Sequence, residues 1–275
     1  MTSDLIRSRA NPLVKRLHAL KRQADADLLL VEGPRLLEEA VEAGVEIVEA
    51  AASPRLLRQA RGRALAARLA AVGRPLRVLD DDLLAAVSEV ETSQGVVAVA
   101  RRPRFDEAAV FAPRALVLVA VGVQDPGNVG ALLRAAEGAG AGGAAFTAGS
   151  ADPFSWKALR GSMGSAFRLP HVKLRSAAAA VEKARAAGLR LVGTSLRGAA
   201  AHDAADLARP LALFLGGEGA GLPPEVQAAM DEQVSIPMAG PVESLNVAVA
   251  AGVLLFEAAR QRRVRAASDP GYPGS

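Results

Sequence analysis

The sequence predicts an α/β protein with a small N-terminal α/β domain and a larger C-terminal α/β domain built on a parallel sheet. Apolar runs of strand length alternate with segments of helical length along the 275 residues. A charged, proline-bearing stretch, RRPRFDEAAVFAP at residues 101–113, interrupts this alternation and is typical of a linker. Beyond it the strand-like runs are continuously apolar, which indicates parallel strands covered on both faces.

The segments ahead of the linker predict a compact unit. Its helices are expected at residues 12–21, 34–43, 54–71 and 82–87, and its strands at 28–32, 45–50, 76–79 and 96–100. Three of these helices begin with proline, whose fixed φ suits the first helical turn, and Gly44 ends the second one. Residues 1–105 are therefore predicted to form a separate domain.

The pattern restarts after the linker. Strands are predicted at residues 115–121, 144–147, 189–194, 211–215 and 234–236, and helices at 129–139, 176–187 and 224–230. A last helix follows Asn246 within the run IPMAGPVESLNVAVAAGVLLFEA at 236–258. The Val, Leu and Phe residues of this helix are mixed with Ala and Gly, so we expect it to be buried on most of its surface.

Composition excludes several kinds of site. The sequence has no cysteine, which rules out disulfides and thiolate metal ligands, and His18, His171 and His202 are too widely spaced to predict a metal site. It shows no signal peptide and no apolar segment long enough to span a membrane. We therefore expect a cytoplasmic protein that has neither a metal nor a membrane span.

Basic side chains are concentrated near the N-terminus, where the first 22 residues contain Asp4 as their only acid. This excess favours a polyanionic partner, and a solvated arm is the alternative. The candidate contacts are Lys15, Arg16, Lys21 and Arg22. Aromatic residues are scarce, and Phe154 and Trp156 are expected to pack in a core rather than to stack on bases.

Three loops that follow strands of the second domain combine glycine with polar residues. They are VQDPGNVGALLRAAEGAG, LFLGGEGAGLP and the approach to the last helix, IPMAGPVESLN. Because the carboxyl ends of parallel strands share one sheet edge, where helix N-termini also gather, the loops predict a nucleotide-like ligand. A dinucleotide site is rejected, since GAGAGG at 138–143 follows a helix and GGEGAG at 216–221 has the wrong spacing and contains Glu218.

In this order the three loops resemble the motifs of the SpoU, or TrmH-type, RNA ribose 2'-O-methyltransferases of the SPOUT superfamily. The resemblance rests on DPGNVGALLRAAEGAGA at 125–141, LFLGGEGAGLP at 213–223 and the run at 236–258. Upstream, NPLVKRLHAL, LLLVEGPRLLEEAVEAG and TSQGVVAVA resemble the small substrate-binding domain that many members carry. The resemblance covers the chain to about residue 265 and leaves 266–275 as a tail that is expected to be disordered.

The resemblance implies an RNA substrate-binding domain at 1–105 and a catalytic domain at 114–265. It also implies a trefoil knot at the C-terminal end, a homodimer, and S-adenosylmethionine as the cofactor without a metal. The positions that match the family's cofactor-binding residues are Gly216, Ile236, Leu245, Ser244 and Thr194. The positions that match its catalytic residues are Asn128, Arg134, Glu218, Ser244 and Asn246.

The chemistry of these side chains suggests their roles. Arg134 is expected to orient the ribose 2'-hydroxyl and a neighbouring phosphate and to stabilise developing alkoxide charge, because a guanidinium does not readily act as a base. Asn128 is expected to cap the helix that carries Arg134, and Glu218 to position Arg134 or the ribose. The sequence does not identify the group that accepts the proton of the 2'-hydroxyl.

The predicted function is methyl transfer from S-adenosylmethionine to a ribose 2'-hydroxyl of RNA. Ribosomal RNA is favoured because a substrate-binding domain is appended at the N-terminus. Two alternatives stay open: a transfer RNA 2'-O-methyltransferase, and a non-catalytic RNA-binding or ribosome-assembly protein that keeps the fold.

Overall fold

The structure is a computed structural model that describes residues 5–22, 25–88, 93–113, 115–195, 199–217 and 221–268. The chain divides into two compact units. The first comprises residues 1–104 and 154–167, and the second comprises residues 105–153 and 168–275. The assignment of 1–105 to RNA binding and of 114–265 to catalysis stays a prediction.

The first unit contains a four-stranded mixed sheet with helices. Its elements up to residue 101 are α1 (Pro12–Arg22), β1 (Leu28–Glu32), α2 (Pro34–Glu42), β2 (Ile47–Ala52), α3 (Pro54–Leu57), α4 (Ala60–Ala71), β3 (Arg77–Val78), α5 (Asp81–Val87) and β4 (Val96–Arg101). The strand order is β1-β4-β2-β3, in which β4 runs antiparallel to both neighbours and β3 runs parallel to β2. Apolar residues of α1 (Leu13, Val14 and Leu17) and of β4 (Val97 and Val99) are buried in one core cluster.

The prediction of one continuous helix over 54–71 is wrong, because the structure has two helices there, α3 and α4. The Ser53 hydroxyl accepts a hydrogen bond from Leu56 N at 3.1 Å and caps α3. Gly62 of α4 then lies against Leu56, where an added Cβ would be 2.1 Å from the Leu56 carbonyl oxygen. The backbone therefore bends between α3 and α4, and position 62 must be glycine because a side chain there would collide with Leu56.

The second unit is built on a parallel sheet, which confirms the predicted fold class. Its elements are α6 (Glu107–Val110), β5 (Leu116–Val121), α7 (Pro126–Gly138), β6 (Gly143–Thr147), β7 (His171–Leu174), α10 (Ala177–Ala186), β8 (Arg190–Thr194), β9 (Ala200–Ala201), β10 (Leu211–Gly216), α11 (Pro224–Ala228), β11 (Glu232–Ser235) and α12 (Val247–Ser268). The strand order is β7-β6-β5-β10-β8-β11-β9, and every pairing is parallel. The knot implied by the family resemblance stays a prediction.

Several short elements were not predicted. Residues 154–168 contain α8 (Trp156–Ser162) and α9 (Ser165–Arg168), and the linker contains α6, where Val110 and Phe111 are buried in the core of the second unit. Strands β7 and β9, of four and two residues, were also not predicted.

The predicted tail begins too early, because α12 continues to Ser268. The Ser268 hydroxyl donates to the Val264 carbonyl oxygen at 3.0 Å. Arg and Ala are strong helix formers, so the sequence through residue 267 offers no reason for the helix to stop. Residues 269–275 of the predicted tail lie outside the described residues. In the part of the chain that the structure describes, no helix is long and apolar enough to cross a bilayer.

Candidate functional site

The predicted cofactor residues lie at one edge of the parallel sheet. Gly216 and Thr194 are the last residues of β10 and β8, and Ile236 follows β11 directly. Strands β10, β8 and β11 are neighbours in the sheet. Since parallel strands present their carboxyl ends at the same edge, these residues face one region, where α/β proteins bind ligands.

The loop between β5 and α7 is fixed by three side chains. The Asp125 carboxylate accepts a hydrogen bond from Asn128 N at 2.8 Å and caps α7. Two hydroxyls hold the residues that precede α7. Thr147 Oγ1 accepts a hydrogen bond from Gly122 N, and Ser150 Oγ accepts one from Val123 N, both at 3.1 Å. Neither hydroxyl was predicted from the sequence. Both hydroxyl residues are buried, and their only sequence signal is their position at and just after the end of β6.

The expectation that Asn128 caps α7 is therefore wrong. The helix begins at Pro126, three residues before the predicted start, because proline fits its first turn and Asp125 provides the cap. Asn128 instead extends toward the third motif, where Asn246 Nδ2 donates to Asn128 Oδ1 at 3.0 Å. Asn246 Oδ1 accepts from Ala248 N at 2.9 Å and from Val249 N at 3.3 Å, so Asn246 also caps α12.

Arg134 does not join this pair of amides. Six residues of helix separate it from Asn128, which correspond to about 240° of rotation and about 9 Å of rise. Its side chain is exposed and forms no hydrogen bond or ion pair with another described residue. Its guanidinium is therefore available to a ligand.

Residues between β11 and α12 have few backbone partners among the described residues. Within the described part of the chain, residues 237–245 form no backbone hydrogen bond to another residue. Pro237 and Pro241 prevent this segment from continuing the strand or starting the helix earlier. Ser244 is exposed and Leu245 is half-buried. Free N–H and C=O groups near a sheet edge are suited to hold a polar ligand.

The loop after β10 requires glycine. A Cβ on Gly216 would lie 2.0 Å from the carbonyl carbon of Gly221, and a Cβ on Gly217 would lie 2.5 Å from the carbonyl oxygen of Gly122. Gly217 and Gly221 form an isolated β-bridge, so the loop closes tightly against its own start. Glu218 lies outside the described residues.

Of the predicted RNA contacts on α1, two side chains have partners among the described residues and two do not. Arg16 forms an ion pair with Glu49 at 2.6 Å, and Lys21 donates to the carbonyl oxygens of Ala86 and Ser88. Lys15 and Arg22 are exposed and have no such partner among the described residues. They lie on one face of α1 with His18 between them. Burial lowers the pKa of His18, and nearby Arg22, Lys21 and Arg9 lower it further.

Histidine and acidic side chains do not form a metal site in the described parts of the chain. His171 is buried in the second unit, where its Nδ1 lies 2.9 Å from the Leu169 carbonyl oxygen and its ring packs against Phe105. It is a core residue.

Two parts of the chain match known protein families. Residues 115–256 match the SpoU rRNA Methylase family, and residues 11–98 match the MRM3-like substrate binding domain. The chain is 38% identical to an uncharacterized tRNA/rRNA methyltransferase of Synechocystis sp., over 98% of this chain and 99% of the relative. It is 33% identical to the 23S rRNA (guanosine(2553)-2'-O)-methyltransferase RlmP of Bacillus subtilis, over 88% of this chain and 92% of RlmP.

A solved structure extends the similarity to the whole fold. The SpoU methyltransferase AviRb from Streptomyces viridochromogenes, in complex with the cofactor AdoMet, matches with a TM-score of 0.80 and 32% identity. The match covers 92% of this chain and 100% of the AviRb chain. The chain therefore belongs to the SpoU rRNA methylase family, with an MRM3-like substrate-binding domain at its N-terminus.

Proposed function

We propose that this protein transfers a methyl group from S-adenosylmethionine to a ribose 2'-hydroxyl of ribosomal RNA. The observation that carries the proposal is the hydrogen bond between Asn128 and Asn246, which joins the first and third motifs. RlmP, a relative over most of the chain, is named for this reaction on 23S rRNA, and AviRb was solved with AdoMet.

The residues at the sheet edge fit this cofactor. Backbone groups at Gly216, Ile236 and Leu245, together with Ser244 and Thr194, would hold it. Two observations support the fit: residues 237–245 form no backbone hydrogen bond to another described residue, and a side chain at Gly216 or Gly217 would collide with neighbouring backbone. When bound, the cofactor supplies an electrophilic methyl group on a sulfonium.

The side chains of the chain itself would align the acceptor. Asn246 fixes the amide of Asn128 at the start of α7, and the exposed Arg134 would donate to the 2'-hydroxyl oxygen and to a neighbouring phosphate. A guanidinium held beside the oxygen stabilises alkoxide charge as it develops. A guanidinium does not readily accept a proton, so the hydroxyl proton would pass to a different acceptor. We also propose that Glu218 positions Arg134 or the ribose.

We further propose that the protein acts as a homodimer. Val249 and Phe256 are exposed by 53% and 49%, and their spacing of seven residues places them on one apolar face of α12. The Phe256 ring lies 3.5 Å from the position of an added Cβ on Gly138, which is one helical turn from Arg134 on α7. A second copy that covers this apolar face would therefore border Arg134.

The first unit is proposed to bind the RNA, through Lys15 and Arg22 more than through the engaged Arg16 and Lys21. Because ribosomal RNA is the proposed substrate, we propose a cytoplasmic location.

Methyl transfer can be tested with the full-length protein, labelled S-adenosylmethionine and unmodified ribosomal RNA, followed by mapping of 2'-O-methyl sites. We expect incorporation at a defined ribose. Methylation of transfer RNA alone would show that transfer RNA, and not ribosomal RNA, is the substrate. Cofactor binding without transfer to either RNA would favour the non-catalytic alternative. The variant Arg77→Ala, on β3 of the first unit, is the control that should keep activity.

A further inference from the structure

The first unit contains a cavity that the proposed reaction does not use. Its volume is about 340 Å³. It is lined by residues of β1, α2, α4 and α8 and by two residues outside these elements: Glu32, Arg35, Leu36, Glu39, Arg61, Trp156, Arg160, Gln94 and Met163. None of them is a predicted catalytic or cofactor-binding residue, so the cavity calls for a different occupant.

Trp156 gives the cavity a flat surface. The Arg160 guanidinium stacks on the Trp156 ring, 4.8 Å from its centroid. Proteins that read single-stranded RNA stack its bases on such aromatic and guanidinium planes.

The other side of the cavity combines acceptors with donors. Glu32 is buried and accepts a hydrogen bond from the Ser88 hydroxyl, and Glu39 lies one helical turn after Arg35 on α2. Arg61 is engaged by Glu38 through two hydrogen bonds of 2.9 Å and 2.5 Å. The walls therefore present carboxylates beside the N–H donors of Arg35.

Met163 completes the wall with an uncommon backbone. Its φ is 50°, the only positive value at a non-glycine residue in the described parts of the chain. Met163 is the C-cap of α8, a position at which helices commonly end in the left-handed conformation.

Guanine is the base that matches this pattern. Its N1–H and N2–H groups are adjacent donors that one carboxylate can accept, and its O6 and N7 are acceptors for N–H donors. We propose that this cavity binds one unpaired guanine of the RNA substrate, a nucleotide other than the one that accepts the methyl group. The proposal rests on the proposed function, because it assumes an RNA substrate.

Trp156 is the only tryptophan of the chain, so its fluorescence reports on this cavity directly. The full-length protein would be titrated with GMP, AMP, CMP and UMP, with a short uridine oligonucleotide that contains one central guanosine, and with the all-uridine oligonucleotide. We expect saturable quenching by GMP and by the guanosine oligonucleotide. The oligonucleotide should bind at least about tenfold more tightly than GMP, because flanking phosphates add electrostatic contacts.

Two variants and a control connect the signal to the cavity. Glu39→Gln and the exposed Arg35→Ala should each weaken binding of the guanosine oligonucleotide by about tenfold or more, since each loses a hydrogen bond to a charged group. Arg77→Ala is the matched control, because β3 lies at the opposite edge of the sheet from β1, and it should bind like the parent.

Equal quenching by the all-uridine and guanosine oligonucleotides would overturn the assignment of guanine. Equal affinity for GMP and the guanosine oligonucleotide would overturn the assignment to RNA, and no quenching would overturn the site. The methyl-transfer assay on the same protein separates this proposal from the proposed function. Transfer without a guanine response removes the cavity proposal alone, and a guanine response without transfer removes the proposed reaction alone.

Discussion

Asn246 Nδ2 donates a hydrogen bond to Asn128 Oδ1 at 3.0 Å, across 118 positions of sequence. The orientation of the Asn246 amide is fixed, because its Oδ1 already accepts from Ala248 N and Val249 N. One side chain thus caps α12 and holds the amide at the start of α7. These two functions can be separated by substitution.

Asn246→Ser should separate capping from positioning. Serine caps helices about as well as asparagine, but its hydroxyl is too short to reach Asn128. We therefore expect an unfolding free energy within about 0.5 kcal/mol of the parent, with single-turnover methylation slowed about tenfold or more by misplacement of the site. Asn246→Ala should lose the cap as well, at about 1 kcal/mol. Normal turnover in Asn246→Ser would show that the link to Asn128 has no part in catalysis.

Sequence reasoning predicted the long elements of the fold because their signals are local. The parallel strands of the second unit are continuous apolar runs, and Pro12 and Pro34 mark helix starts that the structure has at the same residues. The packing of residues 154–167 with the first unit could not be predicted, because it depends on contacts between distant parts of the chain.

The candidate site was predicted less completely. Sequence motifs placed Asn128 and Asn246 in one site, but their hydrogen bond and the correct cap, Asp125, follow from three-dimensional geometry. Thr147 and Ser150 were missed because a hydroxyl after a strand is common and carries no motif. Their importance appears only when their backbone partners in the β5–α7 loop are known.

Lys15 and Arg22 should contribute most of the RNA affinity of α1. The double variant Lys15→Ala/Arg22→Ala should reduce the slope of log affinity against log salt by about 1.5, since each lost phosphate contact accounts for about 0.7–0.9. S-adenosylmethionine affinity should not change. Point variants are preferable to deletion of residues 1–104, because residues 154–167 belong to the same unit.

The control for this measurement is Arg77→Ala/Arg101→Ala, which removes two arginines that lie near Glu49 and Glu46 at 3.6 Å and 3.7 Å. An equal loss of slope in the control would mean that the effect of Lys15 and Arg22 is one of net charge alone.

Glu257 should stabilise the fold at neutral pH and lose this effect in acid. A hydrogen bond from the Arg260 guanidinium, supported by one from Gln261, lowers the pKa of Glu257 from 4.5 to about 2 against the effect of burial. Because the pKa is lower in the folded state, the stabilisation is complete above about pH 4.5 and is lost as pH falls toward 2. Gln261 also donates to the Ala205 carbonyl oxygen, so the cluster holds a loop against α12.

Glu257→Gln should therefore lower the free energy of unfolding by about 1 kcal/mol at pH 7, a value reduced by solvent screening because Arg260 is 55% exposed. The difference from the parent should shrink at pH 3. Urea denaturation at the two pH values measures both quantities, with the exposed Glu182→Gln on α10 as the control. A difference that stayed constant with pH would contradict the role of this carboxylate.

Phe256→Asp should dissociate the proposed dimer. Burying one phenylalanine contributes about 1.5–3 kcal/mol, and a two-fold interface contains it twice, so the dimer should weaken at least about 100-fold. Light scattering after size exclusion measures the mass, and Val72→Asp is the control, because Val72 is exposed by 58% in the first unit. A parent protein that is monomeric, or a Phe256→Asp variant that stays dimeric, would refute this interface.

Arg134 provides the most direct test of the proposed chemistry. If its guanidinium stabilises charge that appears only in the transition state, Arg134→Ala should lose at least about 100-fold in turnover, or about 2.7 kcal/mol, as when one preorganised donor is removed. Arg134→Lys should recover little, because an ammonium cannot reproduce a planar two-point contact. Since Arg134 is exposed and forms no ion pair with a described residue, both variants should unfold within about 0.5 kcal/mol of the parent. Single-turnover methylation with saturating cofactor and RNA, beside a thermal melt, measures both effects. Parental turnover in Arg134→Ala would refute the role of Arg134 while leaving the family and the cofactor unaffected.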